Sequence, residues 1–406
     1  MRWPRPLRCL EHRNLRLFFG GQAVSLVGTW MQSVAQGWLV WRLTHSSQTL
    51  GAVAFLQQIP VFLFGAWAGS LADRLPRRGI VLATQANAAL QALVLAVVTL
   101  GGWVEAWMLF PLAFMLGLTY AFEIPARQSL LGEIAGPDMP NALALNSSIV
   151  NGARIVGPAL AGILVAAVGE GWAFALNSLS FLGTIRALLV MRAPPSRPAP
   201  RPAGTHLGEG LRWAYRTPLV RALLAQLAVS SIFGMSYVAL LPVLCARVLG
   251  GGPELFGLLQ SCAGAGALGG GVILLVRGGL AGLERRTALG ATALGGGLAV
   301  VALSRAPALT AAALVVTGFG YVTQTAGTMT LLQALSPPQM RGRMMGLFST
   351  LFVGMSPFGA LAGGFAAARF GVPRTLLAGA TLVLGASAAF HLGLPGLRRR
   401  TPLPSP

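Results

Sequence analysis

From Leu43 to Ala72 the chain carries no Asp, Glu, Lys or Arg. A helix needs about 20 mostly apolar residues to cross the hydrocarbon core of a bilayer. This stretch is long enough, and it is one of a series. Apolar runs lie at roughly 17–41, 47–72, 79–102, 106–129, 141–168, 171–191, 219–246, 254–276, 287–304, 307–332, 344–368 and 373–395. Composition closes the alternatives. Only 10% of the 406 residues are charged, against about 25% in soluble globular domains. So little charge cannot cover a water-soluble surface. The expected class is an all-α polytopic membrane protein with twelve spans.

All 30 basic residues are arginines, and they fall unevenly. The N-terminal arm, the even-to-odd loops with the span ends beside them and the C-terminal tail hold 24 of them. The opposite loops and span ends hold five, namely Arg42, Arg247, Arg305, Arg369 and Arg374, and Arg154 lies deep within a span. Basic residues accumulate on the cytoplasmic side of membrane proteins, so both termini are expected in the cytoplasm. This distribution also accounts for the net charge of +20 without nucleic acid, because the arginines do not gather on one folded face. The first apolar run lacks a small-residue cleavage site and reads as a retained helix. Cys9, Cys245 and Cys262 are scattered and odd in number, which implies no disulfide framework.

The longest polar stretch divides the spans six and six. Residues 192–217 hold Pro194, Pro195, Pro198, Pro200 and Pro202, an extended linker. After it, Leu207 to Tyr215 reads as a short surface helix with Trp213 toward the membrane interface. The expected organisation is an arm at 1–16, a six-helix bundle at 17–191, a linker at 192–218, a second bundle at 219–395 and a tail at 396–406.

The halves repeat one another. The segment from Gly117 through Tyr120, Glu123 and Arg127 to Leu131 aligns with Gly318 through Tyr321, Gln324 and Thr328 to Leu332, at an offset of 201 residues. Leu160-Ala-Gly162 meets Leu361-Ala-Gly363 at the same offset, and Gln22 with Ser25 corresponds to Gln226 with Ser230. A duplicated six-helix unit in parallel orientation is the repeat of major facilitator transporters.

A local motif agrees. Gly69-Ser-Leu-Ala-Asp73-Arg74-Leu-Pro-Arg77-Arg78 resembles the G-x-x-x-D-R-x-G-R-R signature of the major facilitator superfamily, with Pro76 where the signature has glycine. Gly69 would permit close helix contact. Asp73 would accept bonds from Arg77 or from a helix N-terminus as a cytoplasmic latch. The segment Arg277 to Arg286 is a degraded copy. Within the superfamily the chain is similar to the drug and siderophore exporters, a branch that includes the enterobactin exporter. The matching segments are Pro125-Ala-Arg127-Gln-Ser-Leu-Leu, Asn146-Ser, Arg154-Ile-Val-Gly-Pro158-Ala-Leu-Ala-Gly162, Phe174-Ala-Leu-Asn177-Ser-Leu-Ser-Phe181 and Arg341-Gly-Arg343-Met-Met-Gly.

The resemblance implies two pseudo-symmetric six-helix bundles in a bacterial cytoplasmic membrane. It implies export of a small hydrophobic or amphipathic compound by alternating access, as proton antiport, by a monomer. Helices 1, 4, 7 and 10 would line the path. The basic residue common in mid-helix 4 of proton antiporters is missing here, since 107–122 carries no charge.

Polar residues supply the candidate path. Gln22, Ser25, Thr29, Gln32 and Gln36 recur at steps of 3 and 4, one face of helix 1. Asn151 with Arg154, Gln226 with Ser230 and Tyr237, and Tyr321 with Gln324 form similar faces. Lipid cannot satisfy these groups, so they face a neighbouring helix or a wet cavity. Ionisable groups inside a span are costly and point to function. Glu123 and Arg127 stand at i,i+4 in the favourable order, and Arg154 lies roughly 20 Å along helix 5 from Asn141. Glu123 is the candidate proton carrier, with Arg127 or Arg154 as partner; a structural ion pair explains the same residues.

No Walker loop, nucleophile–base pair, histidine cluster or channel filter is present in the sequence. No catalytic residue, metal or cofactor is expected. The rival readings are uptake of a neutral solute such as a sugar, and a membrane-embedded enzyme or lipid-handling protein.

Overall fold

The uncharged runs become helices because a backbone surrounded by lipid must satisfy its own N–H and C=O groups. The computed structural model describes residues 5–72, 74–192 and 207–400. After a 3-10 turn at Arg5–Glu11 come α1 (Arg13–Thr44), α2 (Ser47–Ala72), α3 (Arg77–Leu100), α4 (Ala106–Ala135), α5 (Met139–Val168) and α6 (Glu170–Val190). The second series is α7 (Leu207–Arg216), α8 (Pro218–Val229), α9 (Tyr237–Val243), α10 (Pro253–Arg277), α11 (Leu283–Leu303), α12 (Pro307–Leu335), α13 (Pro338–Phe352), α14 (Ser356–Phe370) and α15 (Val372–Arg400). Ten stretches among the described residues are long and apolar enough to cross a membrane. One of them, 106–168, is α4 and α5 together, and the glutamine-bearing α1 is not among the ten. Large apolar side chains such as Leu63, Leu275 and Leu303 stand exposed, as lipid-facing residues do.

Three features differ from the expected helices. The run 219–246 is interrupted by two π-helical turns, at Ser230–Gly234 and Leu244–Val248. The run 344–368 breaks at 353–355 between α13 and α14. The linker falls largely outside the described residues, which resume at α7; there Trp213 packs on a cluster of Ala214, Val220, Leu332 and Met344.

The chain forms two compact units. The first comprises Met1–His45, Leu56–Pro200 and Gly251–Ser261. Its core includes Leu15, Phe19, Val81, Leu130 and Leu188, from α1, α3, α4 and α6. The second comprises Ser46–Phe55, Arg201–Gly250 and Cys262–Pro406. Its core includes Leu219, Leu223, Leu283, Leu331 and Phe390, from α8, α11, α12 and α15. Leu130 and Leu331 are repeat equivalents at the offset of 201, and both are fully buried.

Glycines show the duplication most directly. A Cβ at Gly117 would collide with the Gln57 carbonyl of α2. A Cβ at its equivalent, Gly318, would collide with the Ala263 carbonyl of α10. Within the first unit α5 meets α10 at Gly162, where a Cβ would lie 2.9 Å from the Pro253 carbonyl oxygen. Within the second unit α2 meets α14 at Gly364, where a Cβ would lie 2.6 Å from the Ser47 carbonyl oxygen. By these crossings Gly162 corresponds to Gly364, one residue on from the Gly363 expected. Gly169 and Gly371, which open α6 and α15, share a positive φ of 88° and 84°. At Gly69, by contrast, a Cβ would meet nothing within 4 Å among the described residues, so the close helix contact expected there is not made.

Candidate functional site

Helix periodicity places polar residues on a face; the neighbours decide what each one does. In the first unit α1 to α6 line a cavity of about 330 Å³. Gln22, Ser25, Thr29, Glu123 and Arg127 line it, beside apolar Phe18, Trp30 and Phe181. Gln22 donates to the Asn146 side-chain oxygen at 3.1 Å, and the Thr29 hydroxyl donates to the Ser25 carbonyl at 2.8 Å.

Glu123 sits on the cavity wall. Its Oε1 accepts a hydrogen bond from Gln85 Nε2 at 3.0 Å and lies 3.5 Å from Arg127 Nε. Of the two arginines considered from the sequence, Arg127 is therefore the partner. Arg154 instead stacks over the Trp30 ring, 5.4 Å from its centroid. Asn151, in mid-helix, bonds back to its own α5, donating to the Ser147 carbonyl at 2.8 Å, and is not among the cavity-lining residues. Sequence reading missed Gln85, Tyr120, Trp30 and Gln57 on this wall. An amide in an otherwise apolar span was the available signal for Gln85, as it was for α1.

Gln32 lies elsewhere. It is 2% exposed and belongs to a buried chain of amides. Asn177 Nδ2 donates to Gln32 Oε1 at 2.6 Å, Gln32 Nε2 donates to Gln91 Oε1 at 2.8 Å, and Gln91 Nε2 donates to the Leu112 carbonyl. This chain ties α6, α1, α3 and α4. Amide partners on α3 and α6 hold Gln32 in place, and it is not among the cavity-lining residues. Gln32→Leu would leave the amides of Asn177 and Gln91 each short of a partner. The expected cost is about 1–2 kcal/mol, read as a lowered unfolding midpoint in detergent. An unchanged midpoint would show that the chain is energetically idle.

In the second unit Gln226 and Gln324 are buried at 3% and 0% exposure, and Gln324 Nε2 lies 3.4 Å from the Gln226 carbonyl. Ser230 is fully buried at the start of the π turn. Tyr237 opens α9 and is buried, and Tyr321 stacks on Phe352 with centroids 5.9 Å apart. Gln226 also borders a separate cavity of about 480 Å³ between α8 and α15.

The arginine-rich ends carry ion pairs. Arg77, at the start of α3, pairs with Glu133 near the end of α4. Arg78 donates to the Leu189 carbonyl at the end of α6, while Arg74 is exposed. Asp73 lies outside the described residues. In the second unit Glu284 pairs with Arg398, and Arg343 donates to Glu209 at 2.7 Å. At the opposite end Arg42 forms a bidentate pair with buried Glu170 at 2.8 and 3.2 Å. No group of His, Cys, Asp and Glu among the described residues is placed to hold a metal ion.

The family described as transmembrane secretion effector matches residues 5–402. The multidrug efflux pump Tap of Mycolicibacterium fortuitum is 27% identical over 390 residues, covering 91% of this chain and 93% of that one. The enterobactin exporter EntS of Salmonella choleraesuis is 27% identical over 384 residues, covering 92% and 90%. The staphyloferrin A transporter of Staphylococcus aureus is 24% identical over 259 residues; the match spans 62% of this chain and 64% of that protein. Among solved structures, the peptide transporter POT superposes with a TM-score of 0.77 at 12% identity, covering 95% of each chain. A bacterial homologue of the human lysosomal transporter Spinster, inward-facing and unoccupied, gives 0.71 at 15% identity, covering 97% of this chain and 99% of that one. The fold is that of major facilitator transporters, and these proteins are transporters, not enzymes.

Proposed function

We propose a function on one premise, that the chain belongs to the transmembrane secretion effector family of the major facilitator superfamily: it exports a small hydrophobic or amphipathic compound by alternating access, in exchange for protons. The observation that carries this reading is the cavity of the first unit. Its wall mixes aromatic rings, amides and hydroxyls with one titratable pair, Glu123 and Arg127. Aromatic and apolar surface binds a substrate's body without demanding one shape, and the few polar groups orient it. A carboxyl that alternates between a paired and an unpaired setting binds and releases a proton. The similarity to Tap and to the enterobactin exporter supports export over uptake of a neutral solute.

In this reading Gln22, Ser25, Thr29 and Arg154 meet the substrate in the first unit. Gln226, Ser230, Tyr237, Tyr321 and Gln324 do so in the second. Asp73, with Arg74, Arg77 and Arg78, latches the cytoplasmic end. The chain crosses the bacterial cytoplasmic membrane twelve times with both termini in the cytoplasm, and it works as a monomer. The test is retention of amphipathic fluorescent compounds by cells stripped of their own exporters. Expression of this chain lowers retention, and a protonophore restores it. Equal retention with and without the chain, across a panel of such compounds, would refute the export reading.

A further inference from the structure

Arg154 occupies the middle of the 30-residue helix α5. An ionised side chain at that depth is costly unless something compensates it. Arg77, Arg127 and Arg42 each have a carboxylate partner. Arg154 has none: among the described residues it makes no ion pair and no hydrogen bond, only its stack on Trp30. That contact satisfies one face of the guanidinium and leaves the N–H groups in the guanidinium plane unused.

The local backbone is built to hold this stack. Gly157 stands one turn after Arg154, and a Cβ there would lie 2.6 Å from the Trp30 Cβ and 2.8 Å from the Val27 carbonyl oxygen. The glycine lets α5 approach α1 closely enough to seat Trp30 beneath the guanidinium. The same crossing exists in the second unit, where a Cβ at Gly359 would collide with the Ile232 carbonyl. At the offset of 202 that relates these glycines, Arg154 corresponds to Ser356. The crossing therefore forms without an arginine, so the charge is an addition that the fold does not require.

Trp30 also lines the cavity, where the one carboxylate, Glu123, is already engaged by Gln85 and Arg127. We propose that Arg154 determines specificity, and that the transported compound is an amphipathic anion, an aromatic or apolar body bearing a carboxylate. The body lies against Trp30 and Phe18 in the cavity, and the carboxylate takes the planar guanidinium in a two-point contact. A cation of the same shape would face an unpaired arginine. This proposal rests on the transporter reading above for its direction of movement, but it is a claim about binding and is tested as one.

The experiment uses purified full-length protein in detergent and three probes of one shape: 2-naphthoate, 2-naphthamide and 2-naphthylmethylammonium. Binding is read by thermal stabilisation and tryptophan quenching. The expected result is that 2-naphthoate binds at least tenfold more tightly than the amide, and that the ammonium binds most weakly. Arg154→Gln should remove the preference for naphthoate over the amide, and Arg154→Lys should keep part of it. Equal affinities for naphthoate and amide in the unmodified protein would overturn the proposal. So would tighter binding of the ammonium, no binding of any probe, or a preference that survives Arg154→Gln. Should that variant fail to fold, the comparison of probes on the unmodified protein decides alone. Discrimination without export in vesicles would refute the export reading and leave the anion site standing; export without discrimination would do the reverse.

Discussion

Gly318→Leu is expected to abolish the folded second unit. In α12 a Cβ at this position would fall on the Ala263 carbonyl, and one at Gly266 of α10 would fall on the Val315 carbonyl. The two helices thus meet backbone to backbone through interleaved glycines. In a membrane, where apolar contact with lipid competes with apolar contact between helices, such close approach supplies much of the packing energy. A leucine cannot be accommodated by rotating a neighbour, because the obstacle is main chain. Overpacking a tight core typically costs about 1–3 kcal/mol, and a clash with backbone belongs at or above the top of that range. The measurement is the yield of monodisperse protein after detergent extraction together with its unfolding midpoint. Gly65→Leu is the control, since a Cβ there meets open space. Equal yields for the two variants would show that the crossing is looser than described.

Glu123→Gln is expected to abolish uphill export while leaving substrate binding and downhill exchange close to those of the unmodified protein. The substitution keeps the side chain's shape and its hydrogen bond with Gln85, but it removes the titratable group and the charge facing Arg127. Its repeat equivalent is already Gln324, buried against the Gln226 carbonyl, so the fold tolerates an amide at this place. A protein that still concentrates substrate after Glu123→Gln has its proton carrier elsewhere, and the Glu123–Arg127 pair is then structural.

The spans and their duplication were legible because both depend on properties that local sequence carries. The absence of charge marks a span, and the pairing of Gly117 and Tyr120 with Gly318 and Tyr321 marks the repeat. The offset found there carries α4, Ala106–Ala135, onto α12, Pro307–Leu335, almost end to end. What was not legible depends on neighbours. The π turns at Ser230–Gly234 and Leu244–Val248 shift a hydrogen-bond register within an apolar run, and composition there does not distinguish i−4 from i−5 bonding. The face of α1 was evident, yet periodicity could not say that Gln32 meets Asn177 and Gln91 while Gln22 lines a cavity. Likewise Arg77 pairs with Glu133, which only the packing of α3 on α4 brings within reach; the bond expected between Asp73 and Arg77 or a helix N-terminus lies outside the described residues.

The measurement that tests the account most directly is substrate movement in proteoliposomes of the purified protein, with a defined pH gradient and no ATP. The account predicts that an amphipathic compound accumulates against its gradient, moving opposite to the protons, and that a protonophore stops it. It also predicts that accumulation occurs in everted membrane vesicles and not in right-side-out ones. Accumulation driven in the same direction as the protons, or confined to right-side-out vesicles, would contradict export and establish uptake instead.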